Sequence, residues 1–240
     1  MYNGNIAETY WRTASDNVRR KYSYTYDGLN RMLSAYYQKP DASVSVTNSY
    51  NESATYDKNS NIVSMQRTGE YDDSFATLLI DNLVYSYDPL KQNQLMKVKD
   101  NTNNPNGFKD DSDGTNDDND DYRYDDNGNM IKDDNKRITK IDYNHLNLPV
   151  RITFGTEQFI TYLYDAQGQK LQKFVQANDF GDPDGLTTDY LGGFQYEKGR
   201  LQFFPTAEGF VKSTYVAGVN EYNYIFNYKD HLGNVRVSYG

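Results

Sequence analysis

Apolar and polar residues alternate along several stretches of the chain. Between Tyr222 and Tyr228 aromatic rings occupy every second position, and the apolar residues of 22–26 and 150–154 have the same period. Successive side chains of a β-strand point to opposite faces, so each stretch places its large side chains on one face. The run Leu78-Leu79-Ile80 is too short to assign, and no segment keeps a helical period over three turns. The pattern predicts an all-β protein.

One tyrosine-containing motif recurs along the chain. It consists of an aromatic residue, any residue, tyrosine, aspartate, two variable residues, then glycine or asparagine and an apolar pair. The copies contain Tyr26-Asp27, Tyr56-Asp57, Tyr87-Asp88, Tyr124-Asp125 with Gly128, Tyr143-Asn144, Tyr164-Asp165 with Gly168, and Tyr228-Lys229-Asp230 with Gly233. This recurrence indicates that one structural unit is repeated.

Turn-forming residues separate the predicted strands of each unit. Asn127-Gly128 can supply the positive φ angles of a tight two-residue hairpin turn, and residues 198–199 give a similar signal. The aspartate after each tyrosine can accept hydrogen bonds from turn amides two residues on. Isolated hairpins are marginal in water, so the units must pair side by side, with about 0.2–1 kcal/mol from each cross-strand tyrosine pair. The sequence therefore predicts consecutive antiparallel β-hairpins that form a spiralling, curved sheet.

The composition indicates an ordered sheet with a small aliphatic core. The chain has 240 residues, of which 24 are Tyr and 11 are Phe, and its mean hydropathy is −0.91. Tyrosine suits a half-buried pleated surface, with its ring packed and its hydroxyl in water. Most of the net charge of −9 lies between Asp100 and Asp126. This acidity gives no support to nucleic-acid binding, and the basic run at 19–21 fits a charged strand edge.

An acidic insertion without apolar residues occupies positions 110–121, within a loop predicted at about 100–121. Asp111, Asp113 and Gly114 fit positions three, five and six of an EF-type calcium loop, and Asp120 would stand at position twelve. Lys109 would occupy position one, however, and position twelve requires a bidentate glutamate. We therefore interpret the segment as a solvated loop, with a calcium site as the alternative. No other metal site and no cofactor are predicted.

Candidate catalytic groups have simpler structural explanations. His145 and His231 are the two histidines, and each lies in a turn of the repeat, where hydrogen bonding accounts for it. The repeated aspartates hold the same place in every unit, which indicates turn capping, since a catalytic pair is normally unique. The chain has no cysteine and no apolar run of about 18 residues, so thiol chemistry and a membrane span are not predicted. The sequence predicts no catalytic residues and no enzyme.

The last copy of the motif carries the most specific resemblance to a known family. Residues 228–236, from Tyr228 through Asp230, His231 and Gly233 to Arg236, resemble the motif that opens the RHS-associated core. From Tyr22 onward the chain resembles the YD-repeat region of RHS proteins, which include bacterial polymorphic toxins and, more distantly, animal teneurins. The asparagine-rich units are similar to versions from Bacteroidetes-like bacteria.

The resemblance implies a hollow, spiralling β-shell that encloses a toxic C-terminal domain. It also implies an aspartate-dependent self-cleavage site, whose residues would lie beyond Gly240. Residues 1–21 are expected to be a lead-in strand, 22–221 the hairpin repeats, and 222–240 the start of the RHS-associated core.

The expected function is that of a non-catalytic structural shell segment of a secreted or cell-surface bacterial protein. Its expected partner is the rest of a larger RHS chain, or a component of a secretion or outer-membrane complex. An adhesin-like module that binds a glycan or a surface protein through its aromatic rows is the alternative. An enzymatic, self-processing function would require sequence beyond Gly240.

Overall fold

The computed structural model describes residues 4–69, 71–72, 77–110, 121–176, 185–230 and 232–240. These residues form nineteen β-strands in two antiparallel sheets, one short 3-10 helix at Asp134–Lys136, and no α-helix. Within each sheet neighbouring strands are consecutive in sequence, and neither sheet closes into a barrel. The predicted all-β fold of consecutive antiparallel hairpins is confirmed. Within these ranges no helix has the length and apolar character needed to cross a membrane.

The first sheet has seven strands in the order β1 to β7. They are β1 Glu8–Arg12, β2 Arg19–Tyr26, β3 Met32–Gln38, β4 Glu52–Tyr56, β5 Ile62–Gly69, β6 Leu78–Tyr87 and β7 Leu95–Asp100. The short apolar run that the sequence leaves unassigned is the start of β6.

The second sheet has twelve strands in the order β8 to β19. They are β8 Tyr122–Tyr124, β9 Met130–Asp133, β10 Ile138–Tyr143, β11 Pro149–Phe154, β12 Gln158–Tyr164, β13 Lys170–Gln176, β14 Leu186–Leu191, β15 Phe194–Glu197, β16 Arg200–Pro205, β17 Gly209–Val216, β18 Val219–Lys229 and β19 Val235–Tyr239. The chain divides into two compact units, Met1–Arg137 and Ile138–Gly240.

The first unit has an apolar sheet face and a polar one. Tyr22 lies opposite Tyr37 in the pairing of β2 with β3, and Tyr24 follows two positions later on the same face. On the other face, Thr55 lies opposite Ser64, and their hydroxyl oxygens are 2.6 Å apart. The period-two pattern therefore gives one face for aromatic packing and one face for water.

The core of the first unit lies on the tyrosine face. Leu83, Val98 and Tyr122 are its buried members. The partly buried residues packed against them are Met65, Tyr85, Leu95, Phe108, Tyr124 and Met130. Three of these nine residues are tyrosines, so rings supply much of the packing in a chain that is poor in aliphatic residues.

The second unit has aromatic packing on both faces of its sheet. Phe203 and Phe204 are adjacent in β16, so their side chains point to opposite faces. Phe203 packs edge-on against Phe210, with ring centroids 5.7 Å apart, whereas Phe204 stacks on Phe194 at 5.0 Å. Val211 lies opposite Phe204, and its side chain is buried.

Candidate functional site

The turn after each repeat tyrosine is organised by an aspartate side chain. Oδ1 of Asp57 accepts hydrogen bonds from the backbone amides of Asn59 and Asn61, both at 2.8 Å. The Asp57 amide donates to the carbonyl of Asn61, and the Ser60 amide donates to the carbonyl of Asp57. Ser60 has a φ of 70°, in the left-handed region. One carboxylate thus fixes a five-residue turn between paired strands.

The same bonding pattern occurs in five further turns of the described chain. The residue equivalent to Asp57 is Asp27, Asp125, Asn144, Asp165 or Asp230. Three positions later, φ is positive at Asn30, Gly128, Asn147, Gly168 and Gly233. Asp88 differs, because its side chain accepts from Leu90 and Lys91 and its backbone amide bonds to Gln94 in a longer turn. We call these seven residues the turn acceptors.

The turn at Asn127-Gly128 is wider than the sequence predicts. Only Gly128 of this pair has a positive φ, 84°, and the Asp125 amide donates to the carbonyl of Asn129. The prediction of a two-residue turn here is wrong, because the Asp125 side chain binds the amides of Asn127 and Asn129 and stabilises a five-residue turn. At residues 198–199, by contrast, φ values of 48° and 74° give the predicted two-residue hairpin.

Hydrogen bonds lower the pKa of five of the turn carboxylates. The backbone amide of Arg31, and then its guanidinium, lower the pKa of Asp27. For Asp230, desolvation raises the pKa, but bonds from Asn234 and Arg236 outweigh this effect and bring the pKa to about 2. The pKa is also lowered at Asp57, Asp88 and Asp125. Carboxylates bound to their own turn amides are poor proton donors, and their arrangement suits a structural role.

Five of the repeat tyrosines also bond through their hydroxyls to backbone carbonyls earlier in the chain. The hydroxyl of Tyr56 donates to the carbonyl of Met32 at 2.7 Å, and Met32 is the residue paired with Tyr26 of the preceding unit. The hydroxyl of Tyr87 donates in the same way to Ile62, which is paired with Tyr56. We call these bonds the tyrosine links. Those between described residues are Tyr26 to Ile6, Tyr56 to Met32, Tyr87 to Ile62, Tyr124 to Leu95 and Tyr164 to Pro149.

The tyrosine links are the feature that sequence reasoning missed. Composition suggests hydroxyls in water, whereas the five hydroxyls of the tyrosine links bond to backbone carbonyls at 2.7 to 3.1 Å. The signal was present in the sequence, because the tyrosine next to the turn acceptor recurs, while the tyrosine two positions earlier does not always do so. A purely hydrophobic role would not require a hydroxyl at one fixed place.

The last turn departs from this arrangement. Asp230 is a turn acceptor, but the residue before it is Lys229, which is paired with Val235 as Tyr26 is paired with Met32. Tyr228 lies one position earlier, so its ring is on the opposite face of the strand and is exposed. Gly233 and Arg236 belong to this turn, where the Arg236 guanidinium is ion-paired with Asp230 at 2.6 Å. His231 lies outside the described residues.

Neighbouring turns contact each other at one end of the strands of the first sheet. The Arg31 guanidinium donates to the carbonyl of Asp57 at 2.9 Å and lies 4.8 Å from the centre of the Tyr56 ring. Asn61 donates to the carbonyl of Gln92 at 3.0 Å in the next turn. In these two turns, the residue four places after the turn acceptor therefore connects one hairpin to the next.

A buried tyrosine lies near the end of β3, away from the turn acceptors. The Tyr37 hydroxyl donates to the carboxylate of Asp72 at 2.8 Å and accepts from the Arg20 guanidinium at 3.1 Å. Burial, together with the bond to Asp72, raises the pKa of Tyr37 to about 12. The Tyr22 ring packs against Tyr37 and against Trp11, with centroids 5.8 and 5.4 Å apart. This cluster holds together loops that the turn acceptors do not reach.

Four buried aspartates lie near the base of the acidic insertion. Asp81 pairs with the Arg67 guanidinium at 2.5 Å, and Asp121 accepts bonds from the Val98 amide and the Asn135 side chain. Burial raises the pKa of Asp121 despite these bonds. Asp100 and Asp133 are the other two. Their partners are backbone amides and local side chains, and within the described ranges no group of three or more His, Cys, Asp or Glu residues is placed to hold a metal ion.

The predicted calcium ligands and one of the two histidines cannot be placed in the structure. Asp111, Asp113 and Asp120 lie outside the described residues, as His231 does. His145 is exposed in the turn that Asn144 organises. The basic run at 19–21 is neutralised locally, because each of its residues forms an ion pair with a nearby acid.

Exposed rings cluster on the last two strands. Tyr222, Tyr224, Phe226 and Tyr228 of β18 share a face with Val237 and Tyr239 of β19, because Phe226 lies opposite Tyr239 and Tyr228 opposite Val237. We call these six residues the aromatic face of β18–β19. Each is at least one third exposed, and Tyr228 is 70% exposed.

Comparisons with known proteins give a result at the level of the fold. No family model matches the chain, and no curated protein matches it either. Among solved structures, the crystal structure of TcdB2-TccC3-TEV aligns with 98% of this chain, with a TM-score of 0.52 and 13% sequence identity. This chain shares the fold of part of TcdB2-TccC3-TEV.

Two further structures are similar at lower scores. They are TcdB2-TccC3, with a TM-score of 0.49, and the Tc holotoxin pore of Photorhabdus luminescens, with 0.46; each is 13% identical to this chain. The chain spans only 13% of the length of TcdB2-TccC3-TEV. The similarity therefore concerns the fold of one section of a much longer polypeptide.

Proposed function

We propose that this chain is a non-catalytic wall segment of a longer RHS/YD-repeat protein, secreted or displayed on a bacterial cell surface. The observation that carries the proposal is the set of tyrosine links. Each bonds a hairpin to the one before it, from Tyr26 to Tyr124 in the first unit and at Tyr164 in the second. A sheet built in this way extends by adding hairpins, each of which contacts its neighbours in sequence.

Two further points support the proposal. The turn acceptors and tyrosines recur with the phase of the YD repeat, and the fold is similar to that of a section of TcdB2-TccC3-TEV. The carboxylates that recur are engaged by their own turn amides, which is an arrangement for holding a backbone and not for transferring protons. Under this proposal the wall encloses a C-terminal toxin-like domain, and its partners are the rest of the RHS chain or a secretion complex.

Protease protection in the longer polypeptide tests the wall function. A domain enclosed by the wall should resist a protease that digests the same domain when it is expressed alone. Changing Tyr56, Tyr87 and Tyr124 to Phe removes three tyrosine links and should make the enclosed domain digestible, whereas Tyr24→Phe, which removes no link, should not. Equal digestion of the free domain and of the domain in the unaltered longer protein would contradict the proposal.

An adhesin-like function is the second candidate, and the aromatic face of β18–β19 favours it. Exposed rings in a row can bind flat apolar surfaces of a glycan or a protein. A glycan array and a cell-attachment assay with the unaltered chain would test this function. Binding that disappears on Tyr224→Ser would support it, and no binding in either assay would count against it.

A further inference from the structure

The aromatic face of β18–β19 is left uncovered by every described residue of the chain. Tyr224 is 63% exposed, Tyr239 58% and Val237 56%. On the tyrosine face of the first unit, by contrast, Tyr22, Tyr56 and Tyr87 are half-buried and bonded through their hydroxyls. The last hairpin therefore exposes rings of the kind that the repeats elsewhere cover.

This face contains no charged residue, although a quarter of the chain is charged. On the neighbouring strand β17, Val211 lies opposite Tyr224 and Ser213 lies opposite Tyr222; both share this face, are uncharged and are buried. The charged residues of β17 and β18 lie on the other face. They are Lys212, Glu221 and Lys229. The hairpin is thus amphipathic, with its apolar side turned away from the side that carries the tyrosine links.

A sheet that is apolar on one face is stable when another layer covers that face. At 150–250 Å² for each ring, the exposed fractions leave about 600 Å² of side-chain surface uncovered on this face. That area is at the upper limit for the largest apolar patch of a monomer, about 300–600 Å². It approaches the roughly 800 Å² that each partner buries in a specific interface.

We propose that the aromatic face of β18–β19 packs against the same face of a second copy of this chain. Because the face is uncharged, two copies can meet without repulsion between like charges. A two-fold axis through the interface would place each face on its equivalent, which is the commonest form of a homodimer. The two sheets would then form a local sandwich with layers about 10 Å apart, and the polar rim around the rings would add the remaining contact area.

Sedimentation velocity on the full chain, from about 1 to 100 µM, tests the proposal. The expected result is a monomer–dimer equilibrium within this range. The double change Tyr224→Ser and Tyr228→Ser should raise the dimer dissociation constant by at least about tenfold, because buried tyrosines carry much of the energy of interfaces. The matched control is Tyr36→Ser, which removes a tyrosine that is 48% exposed on the polar face of β3 and should change nothing.

A second measurement does not depend on the folding of a variant. Hydroxyl-radical footprinting of the unaltered chain should show that oxidation of Tyr222, Tyr224 and Tyr228 falls as concentration rises, while oxidation of Tyr36 stays constant. A chain that is monomeric at 100 µM, or a dimer that is insensitive to the double change, overturns the proposal. A monomer that binds polysaccharide through these rings also overturns it and favours the adhesin-like function. None of these outcomes affects the wall proposal, which rests on the tyrosine links.

Discussion

Removing the tyrosine links should destabilise the first unit in proportion to their number. Tyr56→Phe keeps the ring and removes one hydroxyl, which donates to the Met32 carbonyl at 2.7 Å. A net loss of about 1 kcal/mol is expected for one such hydrogen bond. For a unit of this size, that corresponds to a fall in Tm of about 3 °C.

The fourfold change of Tyr26, Tyr56, Tyr87 and Tyr124 to Phe gives the sharper test. Successive links are two strands apart, about 10 Å, so their effects should add. The sum is about 4 kcal/mol, a large part of the 5–15 kcal/mol that typically stabilises a small domain. The fourfold variant should therefore keep only about 1–11 kcal/mol of stability and unfold at a clearly lower urea concentration than the unaltered chain.

Urea unfolding followed by the fluorescence of Trp11 measures this effect in the correct unit, because Trp11 stacks on Tyr22 at 5.4 Å. The control is Tyr24→Phe. Tyr24 lies on the same face, but its hydroxyl makes no hydrogen bond with any described residue, so a change within about 0.5 kcal/mol is expected. If the fourfold variant unfolds at the same urea concentration as the control, the links do not hold the hairpins together and the reasoning is refuted.

Three further predictions follow from the turns, the buried tyrosine and the core. The pKa of Asp57 is lowered in the folded state, so its contribution to stability is present above the unfolded pKa near 3.8 and is lost as pH falls through the folded pKa. Asp57→Asn should therefore weaken the acid dependence of unfolding, measured by circular dichroism, without loss of the turn at neutral pH. An unchanged acid profile would contradict this. The raised pKa of Tyr37 favours the neutral phenol in the folded state, so this contribution is complete below pH 10 and is lost toward pH 12. Burial also raises the pKa of Tyr22 and Tyr122 to about 12, so ultraviolet titration of Tyr37→Phe should show one late-titrating tyrosine fewer than the unaltered chain, and an identical late amplitude in the two proteins would exclude the assignment. Leu83→Ala should cost about 2–5 kcal/mol in urea unfolding, because Leu83 is buried in the core cluster, and a loss below about 1 kcal/mol would mean that the cluster collapses around the cavity.

Much of the fold can be predicted from the sequence, because local residue patterns indicate where its strands lie. A strict period of two in 22–26 and 222–228 fixes which side chains share a face, and the turn residues fix where each strand ends. The pairing of consecutive strands follows, since short turns leave no other neighbour within reach. The unassigned run at 78–80 became part of a strand only through its pairing with β5, which no local pattern reveals.

The details of the site depend on contacts between successive hairpins. Sequence reasoning identified the turn acceptors, but it treated the tyrosine hydroxyls as solvated because the carbonyl that each one meets is about 25 residues away. It aligned Tyr228 with the other repeat tyrosines, whereas strand pairing places Lys229 at that position. A shift of one residue moves a side chain to the other face, so only the register could distinguish these two possibilities.

Each tyrosine link joins a hairpin only to its immediate neighbour, and this limits how a change in the number of hairpins affects the rest of the sheet. Because Tyr56 needs only the carbonyl of Met32, and Tyr87 only that of Ile62, a duplicated or deleted hairpin disturbs a single junction. Gene-level gains and losses of whole modules would then be tolerated far better than insertions of one residue inside a strand. The longer turn at Asp88, which still leaves Leu95 within reach of Tyr124, shows how much variation such a junction can absorb.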